Sequence, residues 1–347
     1  MGEPRLPRRL VPFVAAAAML LLAQTPASAQ PIDQYVSIVD QYANGDENGA
    51  LNRLEPDGGR ISSAIVARMR TLTERQVRSA IMLHTELAAV LLANARAPQA
   101  TVQIGNGQRL LDILTEDTRR RAAAQPFAIR WYAFATNLYS GQGLFVAAFA
   151  ISRDGWAAFP HSAEVAVARG AVYEMRATLA MPRSFNAIGE RVSYSVRRDF
   201  EAAAAEYQRA LTENPRFAFA FLHRGWVHVQ LGDSRATADL ESALRETKDG
   251  SVRYLAHLFL GAAAERRDDL EGARRHFEAA HLLGPFQTSA VALGRVELAM
   301  GHADRARAIT AAFAQSAAPA EDPWWNYQLG GFEPGAIAWL RAEARRP

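Results

Sequence analysis

The sequence predicts an all-α protein built from antiparallel helix pairs, and three observations carry that prediction. Long Ala-rich segments of helical periodicity alternate with short Gly, Pro and Asp punctuation, and no β-branched run alternates convincingly in polarity. Two stretches seventy positions apart repeat the same residues at the same spacing: Ala203, Tyr207, Ala210, Pro215 and Ala273, Phe277, Ala280, Pro285. Glycines recur at Gly170, Gly225, Gly261 and Gly294, the last three separated by 36 and 33 residues. A glycine at such a point lets one helix approach its partner closely, because a side chain would hold the axes apart.

In chain order, the first thirty residues read as an export signal. Arg5, Arg8 and Arg9 form a basic start, Leu10 to Ala23 an apolar stretch, and Ala27-Ser28-Ala29 a small-x-small cleavage pattern. The apolar run is too short for a spanning helix, which needs roughly 20 residues. The expected mature chain starts at Gln30, lies in the periplasm or outside the cell, and has no stable membrane insertion. There is no cysteine, which excludes disulfides, thiolate metal sites, a cysteine nucleophile and a lipid-modified N-terminal cysteine.

Residues 30–125 read as divergent helical pairs, with 74–95 and 107–121 helical but out of phase with the later repeats. Tyr139, Gly143, Ala148 and Pro160 outline a degenerate unit. Pro160 then precedes Gly170 by ten residues, as Pro215 precedes Gly225. Gly232-Asp233, Asp268-Asp269 and Gly301 mark turns between paired helices, and Ala236, Leu240 and Ala243 form a weaker copy of the repeated tail. Between Gly170 and Ala203 the spacing is about 21 residues too long, which places an insert at roughly 177–197. Either a loop on one face or an elongated helix pair with a looped tip would accommodate it.

The A-x3-F/Y-x2-A-x4-P tail resembles the second helix of a tetratricopeptide (TPR) repeat, whose period is about 34 residues. The resemblance covers residues 160–301 and is cleanest over 199–301. It implies a TPR-type α-solenoid, a right-handed superhelix of antiparallel helix pairs, with divergent N-terminal helices and a C-terminal cap. The expected organisation is a signal peptide at 1–29, a divergent helical region at 30–125, a TPR region at 126–314, and a linker with a Trp-rich cap at 315–347. The Asp322-Pro323-Trp324-Trp325-Asn326-Tyr327 tail, followed by Gly330, resembles those of exported bacterial TPR proteins without assigned activity. There the paired Trp and Trp339 are expected to bury the apolar end of the last repeat.

The formal charge is +3, falling to +1 once residues 1–29 are removed, and only Lys248 among the 39 basic residues is lysine. The pI near 9.4 therefore reflects arginine on a nearly balanced chain, not a basic stripe, and no nucleic-acid footprint is expected. Asn44, Asp46, Asn48 and Glu55 fall at calcium-loop spacing. Against that reading, position one is Asn instead of Asp, Pro56-Asp57-Gly58-Gly59 breaks the exiting helix, and the same residues fit a helix corner with Ala50 and Leu54 inward. Gly105-Asn106-Gly107 lacks the third glycine and the strand of a dinucleotide loop. The pairs His223/His228 and His276/His281 are each five apart, whereas ligands on one helical face sit three or four apart. No catalytic triad, nucleophile elbow or P-loop is readable, and no cofactor is implied.

The resemblance further implies a concave groove lined by the first helix of each pair. Taking Gly225, Gly261 and Gly294 as position 8, it would present Phe219, Leu222, His223, Trp226, Gln230, Leu255, Leu258, Glu265 and Arg295. The Lys, Arg and Asn of peptide-carboxylate clamps are missing, so an apolar groove for an amphipathic helix or an apolar extended segment is expected. The function expected is non-catalytic recognition of a protein or peptide in the bacterial envelope. A small-molecule-binding or enzymatic solenoid, and a structural spacer, are the alternatives.

Overall fold

Six helix corners share one device. Gly45, Ala95, Gly143, Gly232, Asp268 and Gly301 all adopt positive φ, between 58° and 100°. At each, the next residue's amide reaches back five residues, as in Arg96 N to Leu91 O at 2.8 Å, Asp233 N to His228 O at 2.9 Å and His302 N to Glu297 O at 2.8 Å. This satisfies carbonyls that the helix end would leave unpaired and turns the chain into an antiparallel return.

The computed structural model describes residues 32–54, 63–116, 118–180, 194–315, 321–328 and 335–346. The expected signal peptide lies outside the described residues. Among them every regular element is helical: α1 (Ile32–Ala43), α2 (Glu47–Leu54), α3 (Ser63–Met69), α4 (Glu74–Ala93), α5 (Ala97–Glu116) and α6 (Thr118–Gly141) come first. Next come α7 (Phe145–Ala158), α8 (Ala163–Ala180), α9 (Tyr194–Glu213), α10 (Ala218–Leu231), α11 (Ala236–Glu246), α12 (Gly250–Glu265) and α13 (Leu270–Leu283). The chain finishes with α14 (Gln287–Ala299), α15 (Ala303–Gln315), α16 (Pro323–Gln328) and α17 (Ala336–Arg345). None of these helices is long and apolar enough to cross a membrane.

Two compact units divide the chain: residues 1–131 with 337–347, and residues 132–336. This differs from the sequence-based boundaries, because the last helix joins the first unit. In that unit α1 pairs with α2 and α4 with α5. A Thr73–Gln76 capping box starts α4, whose amides are otherwise unpaired at the first turn. Arg341 of α17 grips Glu86 through Nε at 2.7 Å and Nη2 at 3.1 Å, and Tyr42 donates to the same carboxylate at 2.6 Å. Arg130 lies 4.1 Å over the Trp339 ring. Trp339 is thus held in the first unit.

The second unit pairs α8 with α9, α10 with α11, α12 with α13 and α14 with α15. A Cβ built on Gly170 would come within 2.5 Å of the Tyr207 ring, one on Gly261 within 2.4 Å of Phe277, and one on Gly225 within 2.6 Å of Leu240. The glycines thus meet the large residue of the repeated tail, as the phasing predicts. Ala203, Ala210, Ala273 and Ala280 are fully buried beside them. Regular helix extends into both ends of the insert, to Ala180 and from Tyr194; residues 181–193 lie outside the described residues.

Candidate functional site: an aromatic groove holding a segment of its own chain

The first helices of the pairs, α8, α10 and α12, present one side to the short helix α16. Asp322 opens α16: its Oδ1 accepts the Trp324 amide at 3.0 Å, while Oδ2 accepts the Thr288 amide at the start of α14, at 2.9 Å. Both helix starts have unpaired N–H groups and a positive dipole end, which suit a carboxylate. Trp226 stacks on Phe259 at 4.4 Å, and Trp324 meets both edge-on at 5.6 and 5.8 Å. Tyr327, one turn on, packs edge-on against Phe259 at 5.1 Å and stacks on His223 at 4.7 Å.

Beneath this aromatic layer is a polar floor. Glu174 of α8 accepts the Tyr327 hydroxyl on Oε1 and the Tyr207 hydroxyl on Oε2, each at 2.5 Å. His223 Nδ1 lies 2.9 Å from Glu174 Oε2, 3.1 Å from the Tyr327 hydroxyl and 3.3 Å from that of Tyr207. All four side chains are buried. Burial, then the neighbouring Glu174 charge, push both tyrosine pKa values well up, so both phenols stay protonated as donors. His223 Nε2 is buried without a hydrogen-bond partner. The space left beside it is about 10 Å³, room for one water, far below the roughly 300 Å³ of a small-ligand pocket.

Of the residues placed in the groove from sequence, His223 and Trp226 touch α16, and Phe219 packs edge-on against His223 at 4.6 Å. Leu222, Leu255 and Leu258 are buried in the core of the unit. Gln230 is buried as well, its Oε1 accepting from Arg266 at 3.3 Å. Arg295 is exposed and pairs with Glu265 at 2.6 Å. Val291 and Leu298 of α14, at 54% and 61% exposure, stay open. The expected cap is therefore corrected: Trp324 and Tyr327 lie across the first helices instead of over the end of the repeats. The aromatic platform of Trp226 and Phe259 offers more burial to flat rings than α14 does.

Sequence reasoning did not name Glu174, Tyr327 or Phe259 as site residues. Counting from Gly170 as position 8 puts Glu174 at position 12, and counting from Gly261 puts Phe259 at position 6, so the phase could have found both. Tyr327 carried no such signal.

The residues at calcium-loop spacing form a helix corner. Asp46 accepts the Gly49 amide on Oδ1 at 2.9 Å and Gln41 on Oδ2 at 2.6 Å, so it caps α2. Those bonds pull its pKa down. Asn44 accepts from Arg75 at 3.4 Å, Asn48 is exposed, and Glu55 lies outside the described residues. Ala50 and Leu54 are buried, as a helix corner requires. Among the described residues no three metal-ligating side chains cluster.

The in-register meeting of Gly261 with Phe277 and of Gly170 with Tyr207 fits the tetratricopeptide arrangement. The helix pairs of the second unit pack as tetratricopeptide-type repeats do. No family model matches the chain, and no curated protein matches it in sequence. Among solved structures, the chain is similar to a TPR protein from Parabacteroides merdae, with 16% identity and a TM-score of 0.44, over 77% of this chain and 99% of that one. It is also similar to human IFIT1 with PPP-AAAA, with 13% identity and a TM-score of 0.40, over 82% of this chain and 68% of that one.

Proposed function

We propose that this chain is a non-catalytic scaffold of the bacterial cell envelope that holds a short protein segment on the inner side of its TPR unit. One observation supports this above others: residues 322–328 of the chain itself lie there, with Trp324 on an aromatic platform and Tyr327 bonded to a buried carboxylate. The side chains met by that segment suit a peptide, since they combine flat apolar surface with few, directed polar groups. The export reading of residues 1–29 supports an extracytoplasmic location. The buried acid in the floor disfavours a phosphate backbone, which calls for cationic contacts.

Photo-crosslinking in the envelope tests this, with a crosslinking residue at exposed Arg295 and Trp226→Ala as the control. A protein adduct that weakens with Trp226→Ala, while circular dichroism is unchanged, is the expected result. A nuclease-sensitive adduct that weakens steeply with salt would instead identify RNA as the partner and end this reading.

A further inference from the structure

The segment in the groove reports the chemistry of what the groove takes. We infer, resting on the scaffold reading, that Asp322–Gln328 is an in-chain competitor, and that the external ligand is a protein segment of the same kind. That ligand is a short helix bearing a Trp and, one turn later, a Tyr whose hydroxyl reaches Glu174.

Three observations carry this. The first is the length of α16, which is six residues; isolated helices need roughly 12–15 residues to persist in water. Its order therefore comes from the groove, and the same groove can order another chain's segment. The second is the floor. Glu174, His223 and Tyr207 converge beneath Tyr327. A carboxylate and an imidazole are costly to bury under a permanent lid, and polar interiors of this kind add specificity more than stability. Water can rehydrate them when the segment leaves, which an apolar floor would not permit at comparable cost. The third is the division of labour within α16. Trp324 and Tyr327, three apart, face the groove together, whereas Trp325 is half exposed at 50%. The recognised element is thus the pair one turn apart, with an Asp cap ahead of it.

The probe is a fluorescein-labelled peptide of residues 321–328, titrated against the full mature chain by anisotropy. Wild type should bind it weakly, because a tethered segment competes at an effective concentration on the order of millimolar. The Trp324→Ala/Tyr327→Ala chain should bind it at least about tenfold more tightly. Replacing Tyr by Phe in the peptide, or Glu174 by Gln in that chain, should weaken binding about tenfold. Should the double variant lose its helical signal, Tyr327→Phe serves instead, with a smaller gain in the same direction. Equal binding by wild type and a folded variant overturns the inference, as does no binding by that variant. A concentration-dependent dimer of wild type, lost on Tyr327→Ala, would assign the groove to a second copy and also overturn it. Displacement of the bound peptide by an RNA oligonucleotide would overturn the partner class. Crosslinking through the groove without peptide exchange removes this inference and leaves the scaffold reading intact. Peptide exchange without a crosslinked partner supports the competitor and counts against the scaffold.

Discussion

Tyr327 donates its hydroxyl to Glu174, 153 positions earlier in the chain, at 2.5 Å. That bond ties a six-residue helix to the first helix of a repeat, beside the His223 ring that stacks on Tyr327.

Removing it should free α16 selectively. Tyr327→Phe keeps the ring packing and deletes a hydrogen bond to a charged group, worth about 1.5–3 kcal/mol. Hydrogen exchange at residues 324–328 should rise at least about tenfold, while α12 and α13 keep their protection. Uniform acceleration across the second unit would contradict a local role.

Gly261→Ala should destabilise the second unit. The new Cβ would lie 2.4 Å from Phe277, which is itself buried. Forcing that contact costs about 1–3 kcal/mol, read as a lower urea midpoint at an unchanged slope. Adding Phe277→Leu should recover part of the loss, since the two changes act on one contact.

Arg341→Ala should loosen α17 from the first unit. It removes two hydrogen bonds to buried Glu86, a loss of about 1.5–3 kcal/mol. Limited proteolysis should then cut near residues 336–345 first. Arg341→Lys should not restore protection, because lysine cannot reproduce the two-pronged grip.

Acid should weaken the fold through His84. Its Nε2 lies 2.8 Å from the Tyr35 hydroxyl and Nδ1 2.7 Å from Gln103 Oε1. Burial lowers its pKa from 6.5 to about 4, with a smaller push from Arg109. Between these values the unfolded chain binds the extra proton and the folded one does not. Stability is therefore full above about pH 6.5 and falls towards pH 4, by roughly 3 kcal/mol from this residue. His257 has the same sign, lowered to about 4 by burial, then by His276 and Arg253. Urea midpoints at pH 7.5 and 5.0 measure the slope, which His84→Gln should flatten.

The repeats were legible because their signal is local. Gly261, Ala273, Phe277 and Ala280 lie within twenty residues, and their spacing follows from helix geometry and one corner. The corner at Ala95 had no glycine to announce it, yet it carries the same backbone turn. Trp226 and His223 were placed in the groove by the same counting, and both do meet α16. Leu222 and Leu258 were placed there by the same rule but are buried in the core of the unit, because counting along one helix cannot say what covers it.

By itself, the sequence determined the helix pairs and the glycine contacts, since each depends on residues close together in the chain. Only the tertiary structure decided what lies on that inner side. The Glu174–Tyr327 bond and the Trp324–Trp226 contact join segments far apart in sequence, and no periodicity encodes a meeting that depends on how the whole chain folds back.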